Sequence, residues 1–250
     1  MSLKNTEKTR LTAPSEELSF ILGVLIGDGS IFFDKTHNQG VICLVSIDLE
    51  FVEEFNRCIS FILRKKRYKI YQFKSNYGTT LYRVTAYSRN FYELYITKDI
   101  KPFKIVANKF PSPFIRGFLD SDGSVSFRFH FDKRNGKRYP LCTVQMYNSH
   151  LEYLNLIQSL LIEHFGIDIK INKHTRSGFR EELNLSQYNG YRCEIAKQSD
   201  IIRFYDEIGF TIKRKQRILK EGVEYLQSHR KIRTRNEKGQ FVFIKAKNND

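Results

Sequence analysis

A twelve-residue stretch that occurs twice does most to limit what this chain can fold into. Residues 20–31 read F-I-L-G-V-L-I-G-D-G-S-I, and residues 114–125 read F-I-R-G-F-L-D-S-D-G-S-V. Each copy is an apolar helical run ending in Asp-Gly-Ser, with a strand-like segment after it. Small residues recur four apart: Gly23 and Gly27 in the first copy, Gly117 and Ser121 in the second. Residues at i and i+4 share one helix face, so two such faces let two backbones approach closely. Gly29 and Gly123 are expected in the left-handed conformation that stops a helix. Asp28 and Asp122 then sit at two helix C-termini, at the base of one seam. The C-terminal dipole and the neighbouring like charge both disfavour ionised carboxylates there. A divalent cation resolves the conflict, and carboxylate oxygens with spare water positions suit magnesium. Two metal-bound acids are also hardware for attacking a phosphodiester. Asp120-Ser121-Asp122-Gly123 hints at a calcium loop but lacks the further acids an EF-hand needs.

The rest of the chain repeats as well. Hydrophobic periodicity and turn residues predict a helix, a hairpin (30–35 and 41–47), a helix (48–64), a second hairpin (68–75 and 80–88) and a short helix at 90–96. Residues 97–113, broken by three prolines, read as a linker. The order then recurs: strands 124–134 and 137–147 around Asn135-Gly136, a helix to 165 capped by Asn148 or Ser149, strands 168–175 and 190–197, a helix from Ser199, and a last helix at 213–227. The expected organisation is a flexible arm over 1–14, a first half over 15–110, a second half over 111–228 and a basic tail over 229–250. The tail has a possible strand at 240–245.

Composition narrows the partners. Lys and Arg number 42 against 27 Asp and Glu, a formal +15. Such a balance suits a polyanion, nucleic acid above all. Cys43, Cys58, Cys142 and Cys193 form no Cys-x-x-Cys pair, so they read as packing residues in a reducing, intracellular compartment rather than zinc ligands. No apolar run has the length to span a membrane.

The two motifs resemble the LAGLIDADG motif of homing endonucleases, as I-L-G-V-L-I-G-D-G (21–29) and I-R-G-F-L-D-S-D-G (115–123). The likeness covers roughly residues 16–225. Ile26 departs from the acid at the sixth position, which Asp120 retains. The resemblance implies an α+β fold of two pseudo-symmetric αββαββα halves. Each would carry a four-stranded antiparallel DNA-binding sheet, and the halves would pair through the motif helices as a monomer. It implies that Asp28 and Asp122 hold magnesium and are catalytic, assisted by the backbone of Gly27 and Ser121. Manganese would substitute, and calcium would bind without supporting cleavage. Lys213, in Phe210-Thr211-Ile212-Lys213, matches the family's active-site lysine, and Lys109 is the first-half candidate. The family's Gln or Asn at the end of the second strand falls on Ser46 and Met146, with Gln145 and Asn148 nearby. Met146 hydrogen-bonds water poorly, a departure that bears on the second site's water network.

Strand alternation sends Ser126, Arg128, His130 and Asp132 to one face, and the aromatic partners Phe127, Phe129 and Phe131 under the helices. Likewise Lys170, Asn172 and His174, and in the first half Gln72, Lys74, Arg83 and Thr85, are assigned to polar faces. With Lys35 and Arg192 they form the expected DNA-binding set, because these side chains can contact base edges and phosphates. Lys4, Lys8 and Arg10 could add contacts from the arm. The leading expectation is a site-specific, intron-encoded endonuclease making a staggered break in double-stranded DNA. A family alternative is a maturase that binds intron RNA. A third, a transcription regulator on the same scaffold, would carry a helix-turn-helix unit, which the sequence does not suggest.

Overall fold

The computed structural model describes residues 11–176, 188–229, 231–235 and 241–245. The expected arm contacts Lys4, Lys8 and Arg10 and residues 177–187 lie outside them. Helix α1 (Glu16–Leu25) starts at Ser15, whose hydroxyl accepts the Leu18 N–H. Strands β1 (Ser30–Asp34) and β2 (Gln39–Ser46) follow, then α2 (Leu49–Leu63), β3 (Ile70–Lys74), β4 (Thr80–Tyr87) and α3 (Arg89–Tyr95). Part of the expected flexible arm is packed on the first half. Leu11 is fully buried, and its carbonyl accepts the Tyr95 hydroxyl at 2.7 Å.

The expected linker is instead a helix, α4 (Ile100–Lys109), followed by the second motif helix α5 (Pro111–Asp122). Pro102 falls in the first turn of α4 and Pro111 and Pro113 in the first turn of α5. No intrahelical partner is lost there, so these prolines start helices rather than break them. The order then repeats: β5 (Gly123–Asp132), β6 (Lys137–Asn148), α6 (Leu151–Phe165), β7 (Ile171–Arg176), β8 (Tyr188–Ile195), α7 (Gln198–Glu207) and α8 (Lys213–Ser228). Neither expected cap serves α6 or α7 directly: their N-cap residues are His150 and Lys197. The tail holds β9 (Lys231–Arg235) paired antiparallel with β10 (Phe241–Lys245). The strand expected at 240–245 is therefore present, and β9 is its partner.

Each half builds one four-stranded antiparallel sheet, in the orders β1-β2-β4-β3 and β5-β6-β8-β7. Helices cover one face of each, and one apolar cluster runs through both halves, from Leu22 and Phe51 to Phe118 and Leu160. Helices α1 and α5 lie at its centre, side by side. A Cβ on Gly23 would fall 2.1 Å from the Phe114 carbonyl oxygen, and one on Gly117 2.4 Å from that of Phe20. One on Gly27 would fall 2.4 Å from Ser121 Cβ, so the small-residue stripe is the seam itself.

Gly29 and Gly123 differ from expectation. Neither is left-handed, and Gly123 is extended at φ −96° and ψ 154°. They are needed for space. A Cβ would lie 2.9 Å from the Val24 carbonyl oxygen at Gly29, and 2.4 Å from that of Leu119 at Gly123. In the second motif the chain passes straight from helix into strand and in the first through a short turn over 26–29, each time hard against the helix's last carbonyls.

Candidate active site and nucleic-acid face

The seam brings Asp28 and Asp122 together. Burial raises both carboxyls, and Asp122 rises to about 6, with the Asp28 charge as the second cause. The Asn148 amide opposes the rise by donating to Asp122 Oδ2 at 3.0 Å. The same amide donates to the Ile26 carbonyl of the other half at 3.2 Å.

This contact corrects the alignment of the strand-end position. Ser30 pairs with Cys43, and its equivalent Ser124 pairs with Gln145. The second hairpin is eight residues longer, so Ser46 corresponds to Asn148, not to Met146. Met146 is buried at 1% exposure and borders the Asp122 recess with an apolar side chain. The polar residue expected at this place is present after all. Its amide nitrogen serves Asp122, while its Oδ1 accepts the N–H of His150, the N-cap residue of α6, at 2.9 Å.

The lysines also differ from expectation. Lys109 is exposed at the end of α4, and Lys213 is exposed, with its backbone N–H donating to Glu50. The lysines beside the acids are Lys98 and Lys215. Lys215, 5% exposed, donates to the carbonyls of Leu119 and Asp120 at 2.9 and 2.7 Å. Lys98 donates to the Leu25 carbonyl, and Leu25 and Leu119 occupy the same motif position. Each ammonium therefore closes the carbonyl end of its own motif helix, where a cation is favoured. Burial lowers both amines, Lys215 to about 8. The Lys215 charge acts on both motif acids, and Lys98 acts on Asp122. The signal in the sequence was a lysine four residues beyond Thr211, on the buried face of α8. Lys98 sits in a turn at φ 51°, which no periodicity announces.

Each acid opens into its own recess. Asp28 shares one of about 510 Å³ with Ser46, Asp48, Asp120, Arg214 and Lys215. Asp122 shares one of about 130 Å³ with Ser124, Gln145, His174 and Arg192. Among the described residues no group of three or more His, Cys, Asp or Glu could form a metal cage. The donor set nevertheless fits a hard cation that keeps waters: two carboxylates that repel each other and that Lys215, Lys98 and Asn148 offset only in part, beside chain carbonyls. Asp28 and Asp122 would hold it, with the Gly27 and Ser121 backbone within the same motifs.

Cross-strand register sorts the expected DNA-binding residues. In antiparallel strands, directly paired residues share a face. In the second half Ser126, Arg128 and His130 lie on the outer face, and so do Asn172, His174 and Arg192, with Gln145 and Glu194 between them. Arg192 and Gln145 both reach Glu194, at 3.1 and 3.4 Å. Lys170 is exposed just before β7, and Lys35 is exposed in the first hairpin turn.

In the first half the set divides. Tyr71 pairs with Arg83, so the outer face carries Tyr71, Phe73, Arg83 and Thr85. Gln72 and Lys74 pair with Tyr82 and Thr80 and turn to the helix side, though both are exposed. Alternation within one strand gives the period but not the phase. Arg83 lies 5.7 Å from the Phe73 ring and 6.0 Å from that of Tyr71, and Lys69 lies 5.0 Å from Tyr71. The aromatic residues of β5 are also only partly covered. Val125 and Phe127 pack on the core, but Phe129 is 48% exposed, resting on Tyr225, because the hairpin runs past α8.

The family model described as LAGLIDADG-like domain matches residues 15–98 and 109–209. The chain is 28% identical over 229 residues to the uncharacterized protein MJ0398 of Methanocaldococcus jannaschii, covering 87% of this chain and 75% of that one. It is 32% identical over 184 residues to the uncharacterized protein MJ0314 of the same organism, covering 71% and 66%. Among solved structures, full-length DUF199/WhiA from Thermatoga maritima superposes with a TM-score of 0.51 at 18% identity. That match covers 89% of this chain and 66% of WhiA, so the chain spans about two thirds of that protein. The homing endonuclease I-WcaI bound to its DNA recognition sequence superposes at 0.50 with 14% identity, covering 86% and 92%. These likenesses establish the shared fold.

Proposed function

The chain belongs to the LAGLIDADG-like domain family, and from that premise we propose that it is a magnesium-dependent endonuclease that cuts both strands of a specific DNA duplex. The observation that carries the reading is the pairing of Asp28 and Asp122 at one helix seam, with the buried Lys215 and the half-buried Lys98 nearby. A DNA-binding scaffold with no chemistry to perform has no use for two mutually repelling acids at one helix seam. Bound at Asp28 and Asp122, magnesium would supply Lewis acidity toward the phosphate and a more acidic water. Manganese would substitute, whereas calcium would bind and leave the DNA uncut.

The chain's own groups do the rest. Asn148 fixes the orientation of Asp122 and keeps it ionised more readily. Lys215, with its amine near 8, exchanges a proton close to neutral pH and presents positive charge toward the Asp28 recess. Such a group is suited to proton transfer and to stabilising charge that grows on a phosphate. The outer face of the second sheet would read base edges through Asn172, Arg192, Gln145 and Glu194.

The test is cleavage selection from a large duplex library in magnesium, with calcium, Asp28→Asn and Asp122→Asn as controls. A single long motif cut with a fixed stagger, and lost in both variants, is the expected result. Cutting that survives both substitutions would overturn the reading. One observation favours a second reading, RNA binding in the manner of a maturase. The first sheet's outer face offers the exposed rings of Tyr71 and Phe73 among Lys69 and Arg83, a surface suited to stacking unpaired bases. Tight binding of structured RNA without any DNA cutting would select it.

A further inference from the structure

The two halves hold their lysines by different means. Asp120, the sixth residue of the second motif, is 2% exposed. Its carboxylate accepts the Thr211 N–H at 3.2 and 3.1 Å and the Ile212 N–H at 3.3 Å. These are the amides at the entry to α8, and an anion there satisfies donors that the helix itself leaves unpaired. Lys215 follows within the first turn of that helix, and its ammonium returns to the backbone carbonyl of the same Asp120. One residue thus grips the start of α8 with its side chain and the lysine with its main chain. Two contacts from the first half brace the same turn. Arg214 Nε and Nη2 reach the Asp48 oxygens at 2.8 and 2.9 Å, and Glu50 accepts the Lys213 N–H.

The first motif has no such device. Its sixth residue is Ile26, buried in the core, which accepts nothing with its side chain. Lys98 lies in the turn between α3 and α4, and its carbonyl is held from the other half by the Tyr153 hydroxyl at 3.0 Å.

We infer that Asp120 is a positioning residue that sets Lys215 against the Asp28 recess, and that the site lacking such an acid depends on Tyr153 instead. The inference rests on the endonuclease reading. It adds that the two strand cleavages depend on different anchors and can be separated by substitution.

The experiment follows each strand of one target duplex with its own fluorophore, in the full chain with magnesium. Asp120→Asn and Asp120→Ala are expected to slow one strand by about 10- to 100-fold, the cost of misplacing a reacting group slightly. The slowed strand is the one that Lys215→Met also slows, and nicked duplex accumulates. Tyr153→Phe is expected to slow the opposite strand, the one that Lys98→Met slows. Equal slowing of both strands by Asp120→Asn would mean a merely structural role and would overturn the inference.

A second readout needs no cutting. Lysine acetylation by an N-hydroxysuccinimide ester, mapped by mass spectrometry, is expected to be slow at Lys215 in the parent protein. It should rise several-fold in Asp120→Asn while Lys98 stays unchanged. Unchanged Lys215 labelling would sink the positioning role. If the parent protein cuts no duplex, the endonuclease reading fails, and the acetylation result still decides where Asp120 holds the lysine.

Discussion

Asp122 is destabilising in the form the chemistry requires. Its carboxyl titrates near 6 in the fold against an ordinary 3.8, because burial and the Asp28 charge both resist ionisation. The folded state therefore binds this proton more tightly than the unfolded chain does. The resulting stability is complete below about pH 4 and is lost as pH rises through 6. In the absence of metal, Asp122→Asn is expected to be more stable than the parent at pH 7 by about 1–3 kcal/mol. It should also flatten the stability profile between pH 4 and 6, and melting curves in EDTA across that range measure both effects. Added magnesium should raise the melting temperature of the parent and do little for the variant, since an ion that binds only the native state stabilises by mass action. Asn148 works against the same penalty. Its amide lowers the Asp122 carboxyl, so Asn148→Ala should raise that pKa further. The strand cut with Asp122 should then lose activity at low pH and need a more alkaline medium for half-maximal rate. A pH–rate profile resolved by strand would reveal the shift, and an unchanged acid limb would argue against it.

At the scale of elements, the helix seam is the least tolerant part of the fold. Added methyls at Gly23 or Gly117 would meet backbone carbonyls of the partner helix, which cannot move aside without separating the helices. Gly23→Ala and Gly117→Ala are each expected to cost about 3 kcal/mol or more, the upper end for overpacking. Gly78→Ala meets open space but must adopt φ 77°, and should cost only about 1 kcal/mol. Urea titrations would rank the three, and equal losses would contradict a seam of backbone contact. This seam was legible because a stripe of small residues on an apolar helix states its partner's proximity directly. The repeat of hairpin and helix was legible by the same logic of period and turn chemistry. What the sequence did not disclose is relative phase between elements. Gln72 and Lys74 were assigned to the face of Arg83 because each strand's alternation was sound, while the offset between strands is set by pairing. Met146 is not the site position because the longer second hairpin displaces the strand-end equivalence by eight residues. Lys215 shares the buried face of α8 with Leu219, Val223 and Leu226, a helical period the sequence does carry, whereas Lys98 reaches a carbonyl of a helix distant in sequence from an irregular turn, which no local pattern encodes.

Across the whole molecule, the two halves are continuous in the core but unlike on the surface. One apolar cluster links Phe51 and Phe55 of the first half to Phe118 and Leu160 of the second. Unfolding should accordingly be a single transition, with far-UV circular dichroism and tyrosine fluorescence coincident; two separated transitions would mean that each half carries its own stability. The outer faces diverge. The second sheet presents Arg128, His130, Asn172 and Arg192, whereas the first presents rings interleaved with Lys69 and Arg83. The chain as a whole carries a formal net charge of +15. Affinity for any duplex should then be dominated by phosphate contacts and counterion release, falling about 10³-fold or more between 50 and 200 mM salt if six or more phosphates are neutralised. The unlike faces make a sharper prediction. Arg192→Gln removes a cation from the face that carries base-reading groups, so it should weaken target binding more than binding to random duplex. Arg83→Gln removes one that lies among rings, and should weaken both alike and reduce the salt slope by about one. Equilibrium titrations of both duplexes at four salt concentrations separate the cases. If Arg83→Gln instead costs the target alone, the first sheet reads sequence as the second does, and its aromatic character serves the duplex rather than unpaired bases.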